Sequence, residues 1–365
     1  MYARFRDRLN LMGFSDRILG KKSVNGGPRI DMVAPSLALA GGELRITGSG
    51  LRPQELHRPK VQFGDFEGSI IVSSDGFLVA RVPEGATSGP VVVATNGHLS
   101  NSHPVKVAVP IADNLHPVTS PALDAEGNIY VTFSGSRGQK VPVAIYKIDT
   151  NYVIKPFVSE MMNATAIAFD REGQMYVSSR FDGAVYRVAP NGTMTTYAEG
   201  MGVATGIAFD REQSLYVGDR NGTIFKISRD QQVFVFATLE ASVSAYHLAF
   251  SPQGDLFVTG PTDRVYKIDP NGSVTTFYKG LGRPQGLAFD VEGNLYVAAS
   301  LSGTRGIVKI APDGMANLEV AGQGLVGLAF APGRSVILAT TSSVATTGSV
   351  HHLSWNIQGL PLPPD

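Results

Sequence analysis

The side chains best suited to chemistry stand at recurring places along the chain. One set precedes or opens an apolar run: Thr119-Ser120, Thr165-Ala166, Thr205-Gly206, Tyr246-His247, Gln285-Gly286 and Val326-Gly327. A second set is charged and lies between two later apolar runs: Arg137, Lys140, Arg180, Asp182, Asp219, Arg220, Asp263, Arg264 and Arg305. The second set has six basic and three acidic members, a balance that suits an anionic or polar ligand. Arg180 and Arg220 occupy equivalent positions and could clamp an anionic group with their planar forks of donors. Read differently, they are solvated loop charges or partners of Asp182 and Asp219. A hard divalent cation needs several oxygen ligands, mostly carboxylate, and no carboxylate occupies the first set.

Other chemistry finds little support. Cysteine is absent, so disulfides, thiolate metal sites and cysteine nucleophiles are excluded. Neither an HExxH run nor a GxSxG elbow appears among the residues. His351 and His352 sit in a strand-like run and point to opposite faces, so they cannot ligate one ion together. His247 stands where other repeats carry a small residue. Beside Tyr246, it reads as a packed, hydrogen-bonded residue before it reads as a base or ligand.

The elements that must position these groups follow from periodicity. An aromatic anchor recurs at Phe169, Phe209, Phe250, Phe289 and Phe330, with separations of 40, 41, 39 and 41 residues. Leu123 holds the same place 46 residues before Phe169, which makes six repeats. Each repeat has four short apolar runs alternating at period two, with Gly or Pro between them. A period near 40 with four strands per unit predicts propeller blades. Asn191-Gly192, Asn221-Gly222 and Asn271-Gly272 mark tight hairpin turns. The turns after the first and third strands of each repeat share one face. The loops after the second and fourth strands share the other, and their variety marks it as the face for a ligand. The candidate mouth on that face comprises Thr165, Arg180, Thr205, Asp219, Arg220, Tyr246, His247 and Gln285.

Residues 28–110 lack the repeat and show short strands punctuated by Gly41-Gly42, Gly48-Ser-Gly50, Pro83-Glu-Gly85 and Asn96-Gly97, the rhythm of a β-sandwich. The whole chain of 365 residues carries 31 basic and 31 acidic side chains, so it has no global electrostatic footprint for nucleic acid. No apolar window is long enough for a membrane span. Residues 1–27 read as a basic extension with a short helix bearing Phe5, Leu9 and Met12 along one side. Arg8, Asn10, Gly13 and Asp16 interrupt any signal-peptide core there, and the expectation is a cytoplasmic protein.

Two family resemblances sharpen this reading. Pro35, Gly41 to Gly48, Phe63-Gly64, Arg81-Val-Pro83, Ser88-Gly89-Pro-Val-Val-Val93 and Ser100 resemble the IPT/TIG domain, which implies an immunoglobulin-like fold that spaces or presents a neighbour. Gly286-Leu-Ala-Phe-Asp290, Glu292-Gly-Asn-Leu-Tyr-Val297 and Lys309-Ile resemble NHL repeats and the six-bladed gluconolactonase/senescence-marker-protein family. That likeness implies a lactonase with one divalent cation, calcium or zinc, in the channel. The family's Asn and Asp positions are held here by Thr205 and Gln285, and its Glu has no clear counterpart. The expectation is therefore an all-β chain with an immunoglobulin-like β-sandwich (28–110), a six-bladed β-propeller (111–356) and a tail (357–365). It is expected to bind a small molecule, glycan or protein without a cofactor. The alternative is a metal-dependent, gluconolactonase-like hydrolase.

Overall fold

A computed structural model describes residues 27–52, 58–136, 138–242, 244–260, 262–341 and 347–362. The expected N-terminal helix and Arg137 lie outside the described residues. Among the described residues all regular structure is β-strand, arranged as a β-propeller. The repeat is built as its sequence demands. In the second repeat Ala164–Phe169, Met175–Ser179, Ala184–Val188 and Met194–Ala198 pair antiparallel in chain order, and the third and fourth repeat the plan.

One aromatic relay ties the repeats together. The second-strand aromatic of each repeat meets the anchor Phe of the next, edge to face: Tyr130 on Phe169 at 5.4 Å, Tyr176 on Phe209 at 5.0 Å, Tyr216 on Phe250 at 5.0 Å. Phe257 on Phe289 at 4.9 Å and Tyr296 on Phe330 at 5.2 Å continue it. Each such pair contributes about 0.5–1.5 kcal/mol beyond its buried area. The inner strands contact one another in a closed ring, with 325–331 touching 122–123.

A second repeated device holds the first hairpin of a repeat. In the fifth, the buried Asp290 carboxylate accepts the Asn294 backbone N–H at 2.8 Å and the Tyr296 hydroxyl at 3.0 Å. Asp170 does the same for Gln174 and Tyr176, and Asp124 for Asn128 and Tyr130. The fourth repeat has Ser251 in place of the acid and Phe257 in place of the tyrosine; the sixth has Ala331 and Ile337. The acid is present where there is a phenol to bond.

Two expectations are corrected by the strand pairing. Five four-stranded blades stand free, not six. The fifth repeat (Leu287–Phe289, Leu295–Leu301, Thr304–Ile310, Ala316–Ala321) is the end of a 13-stranded sheet that continues into the N-terminal strands. Nor do those strands form a sandwich of two separate sheets, as an immunoglobulin-like domain would. They pair edge to edge around one core of Ile30, Leu44, Ile46, Phe63, Leu78 and Val93. The physical cause is the two-residue strand Leu37–Ala38. It pairs parallel with Lys106–Val107 on one side and with Val320–Ala321 on the other, so neither unit has a free edge there. Leu37, Leu39 and Ala108 enter the same core as Val320, Leu325 and Trp355.

The ring is closed by a segment from before the repeats. Two stretches, Asn356–Leu360 and the region of Val105–Val109, compete in the sequence for the outer strand of the sixth repeat. Val109–Leu115 supplies it, pairing Val109 with His352 and Leu115 with Gly348. The stretch between Val109 and His116 is therefore largely a blade strand. Pro110 is tolerated because the strand lies at the sheet edge.

Candidate functional site

The candidate mouth residues belong to the ring where the inner strands begin, and the structure shows why they are there. Thr205 is fully buried; its hydroxyl donates to Gly218 O at 2.7 Å and accepts Tyr246 N–H at 3.1 Å. Thr165, also buried, donates to Asn163 O, while its own carbonyl accepts the Thr119 hydroxyl at 2.7 Å. Gly206 N–H bonds Tyr246 O, and Gly286 N–H bonds Val326 O at 3.0 Å. The bonds of Thr119 to Thr165 O, Tyr246 N–H to Thr205, Gly206 N–H to Tyr246 O and Gly286 N–H to Val326 O run between neighbouring repeats and stitch the ring. The glycines make the approach possible: a β-carbon on Gly286 would strike Ser120 Oγ and the Gly327 backbone.

The remaining candidates are likewise engaged. Asp219 accepts Val203 N–H at 2.8 Å. Arg180 donates to Gly135 O at 2.8 Å and Arg220 to Ser242 O at 3.3 Å, each bracing a loop of its own or the preceding repeat. The buried Tyr246 hydroxyl donates to Glu240 O. Burial, then the neighbouring Tyr266, Asp219 and Glu240, pushes this phenol up to about 12 and keeps it a donor. Gln285 Oε1 accepts from Arg305 Nη2 at 2.6 Å.

A cavity lies on the other side of this ring. It has a volume of about 590 Å³ and runs along the central axis, lined by Ala166–Phe169, Gly206–Phe209, His247–Phe250, Leu287–Phe289 and Leu328–Arg334. No inner-strand residue before Thr119, Ala166, Gly206, His247, Leu287 or Leu328 lines it. The cavity thus ends at the stitched ring and opens among the first-hairpin turns, at Asp124-Ala125 and Pro332-Gly333. This is the face opposite the variable loops. Of the eight candidate residues only His247 lines it.

His247 sits at the blind end, 5% exposed. Burial above all, and the positive charge of Arg305 in addition, lower its pKa to about 4. At neutral pH the ring is uncharged and can both donate and accept a hydrogen bond. Ser120 adds a hydroxyl at the same level, whose oxygen accepts the Leu328 N–H at 3.3 Å.

The tail closes part of the open end, a feature the sequence reading left out. Trp355 anchors it in the core. Val291 N–H then bonds Gln358 O at 3.1 Å, Leu360 N–H bonds Phe289 O at 2.9 Å, and Gln358 to Leu362 line the cavity. The apolar, proline-rich run Gly359-Leu-Pro-Leu362 was the available signal.

Comparisons with known proteins bear on the fold. No protein-family model matches the chain, and no curated protein matches it in sequence. Solved structures do. A putative gluconolactonase shares 17% identity over 70% of this chain and 93% of its own, with a TM-score of 0.58. A calcium-binding protein, regucalcin, from Agrobacterium tumefaciens shares 17% over 69% and 94%, at 0.56. An auxiliary nutrient binding protein from Bacteroides ovatus shares 12% over 90% of this chain and 97% of its own, at 0.53. These likenesses carry the propeller fold and no activity.

A channel cation is what the lactonase resemblance implies, and the donor set does not fit one. Among the described residues no group of three or more His, Asp or Glu side chains converges. Thr205 already spends its hydroxyl on Gly218, and Gln285 its side-chain oxygen on Arg305.

Proposed function

We propose that this chain is a small-molecule binding propeller. Its central cavity would take an apolar ligand carrying one hydrogen-bonding group for His247. In this reading the fifth repeat counts as a sixth blade, and the N-terminal strands are a spacer fused to it through Leu37–Ala38.

The observation that carries the reading is the cavity itself: about 590 Å³, with an apolar middle of inner-strand residues, His247, Thr119 and Ser120 at the blind end, and Asp124, Arg334 and Gln358 towards the opening. That volume and that ratio of apolar wall to sparse polar groups are those of small-molecule sites. A glycan would leave many hydroxyls facing Ile207, Leu248, Leu287 and Leu328 without partners. The wall is made of inner strands fixed on both sides by the aromatic relay, so the site is formed before a ligand arrives.

The test is saturable uptake of the neutral apolar fluorophore N-phenyl-1-naphthylamine. Ala208, on the cavity wall, is replaced by Phe to fill the space. Binding by the natural chain and its loss in Ala208→Phe, with the fold retained by circular dichroism, is the expected result. Equal uptake by both would place the probe elsewhere and remove the basis for the proposal.

A further inference from the structure

Arg305 is the anomaly on the variable-loop face. Its guanidinium is half-buried and makes four hydrogen bonds, all to neutral oxygens. Nη1 donates to Gly282 O at 3.2 Å and Arg283 O at 2.8 Å; Nη2 donates to Gln285 Oε1 at 2.6 Å and to Leu325 O. It forms no ion pair with any described residue. Arg264, which opens the corresponding third strand in the fourth repeat, has Glu240 and Asp263 within 4.0 Å. A guanidinium taken from water usually keeps an acidic partner, because an unpaired charge in a low-dielectric setting is costly.

The neighbouring charge is positive. Arg283, whose carbonyl Arg305 holds, is exposed; the burial of Arg305 above all, and the positive charge of Arg283 in addition, depress the Arg305 pKa to about 10. Arg283 also adopts a left-handed backbone, with φ of 48°. That conformation is uncommon for a residue with a long side chain and costs free energy unless the surroundings enforce it. Here they do: Gly282 bridges Ser300, Gln285 N–H bonds Ala298 O, and Arg305 grips the loop from beneath. A rigid loop thus presents one strained arginine beside a second, half-buried one, with Arg305 Nε left over after the four bonds.

We propose that Arg305 and Arg283 form a second binding site, for the oxyanion group of a small molecule, on the face opposite the cavity opening. A carboxylate or a phosphate supplies the same chemistry: negative oxygens that neutralise both guanidiniums and accept from Arg305 Nε and the Arg283 fork. The site lies across the stitched ring from the cavity and does not depend on the cavity being used.

The experiment follows the arginine side-chain Nε–H resonances during titration with sodium sulfate and, separately, sodium acetate, against sodium chloride at equal ionic strength. Expected is a saturable shift of the Arg305 signal with sulfate, acetate or both, and none with chloride; the more effective anion identifies the class. Arg283→Gly keeps the left-handed turn without strain, so it should leave the melting temperature unchanged or raised. It should also weaken oxyanion binding about fivefold or more, with naphthylamine uptake unaltered. Shifts that never saturate, or that chloride reproduces, overturn the site. So does undiminished oxyanion binding in Arg283→Gly together with Arg305→Lys.

Discussion

Lowering the pH from 7 to 5 should destabilise this protein, most of all through His247. In the unfolded chain a histidine titrates near 6.5; in the fold His247 is held to about 4. The folded state therefore resists a proton that the unfolded state accepts. Between these two values the unfolded state binds more protons, so stability is full above pH 6.5 and falls as the pH drops towards 4. The gap corresponds to about 3 kcal/mol once both states are protonated, and to about 2 kcal/mol at pH 5. His351 and His352 are also lowered by burial and add a background slope, so the measurement is a difference. His247→Gln keeps a neutral polar side chain at the blind end and removes the titration. Urea unfolding at pH 7 and pH 5 should show the natural chain losing about 2 kcal/mol more than the variant does. The imidazole resonance that vanishes in His247→Gln should titrate near 4 in the folded protein. An equal loss in both proteins, or a titration of that resonance near 6.5, would refute the view that His247 is sealed from water and held neutral.

Three other outcomes are expected. Asp290→Ser should cost about 2–4 kcal/mol, because it leaves the Tyr296 hydroxyl and the Asn294 side-chain amide buried without the carboxylate oxygen they share; adding Tyr296→Phe, which recreates the Ser251 and Phe257 pair of the fourth repeat, should recover about 1 kcal/mol of that by urea unfolding. Ending the chain at residue 356 removes the segment that lines the open end of the cavity, and stopped-flow fluorescence should show faster naphthylamine association together with a melting temperature lowered by the loss of Leu360 from the core. Gly42→Val places a β-carbon against the Ala321 carbonyl at the junction of the two units, so limited proteolysis should cut within 28–110 first and leave the repeats protected.

How much of this was legible depends on which contacts are local. The repeat was legible because each hairpin is held by residues four to six apart, as Asp290 is by Asn294 and Tyr296. The relay of aromatics was legible in its members, since Phe169 to Phe330 recur at one spacing. Blade independence was not. Whether the fifth repeat stands alone depends on Leu37–Ala38, far away in sequence and only two residues long, and no periodicity marks it. The turn glycines were read correctly in kind but not in detail. Gly192, Gly222 and Gly272 carry the positive φ, whereas the asparagines before them do not. Gly192 and Gly272 also let the backbone approach Phe157 and Phe236 of the preceding blades, a packing role that a turn motif does not announce.

The site shows the limit more sharply, and the reason is directional. Topology alone puts Thr165, Thr205, Tyr246 and Gln285 at one end of the inner strands, and polar residues at the end of a channel invite a ligand. Yet a hydroxyl one residue from the axis has a choice between the lumen and the carbonyls of the next blade. In a propeller the neighbouring inner strand is always within reach. Thr119 bonds Thr165 O, Thr259 bonds Gln285 O, and Ser178 bonds Thr205 O, each from one repeat to the following one. Satisfying those buried carbonyls is worth about 1 kcal/mol apiece, and leaving them unmet would cost more. The same residues cannot also serve a ligand without opening the ring. What remains for binding is what the ring leaves over: the lumen below it, where His247 points into an apolar wall, and the arginine pair above it, which has more positive charge than the fold uses.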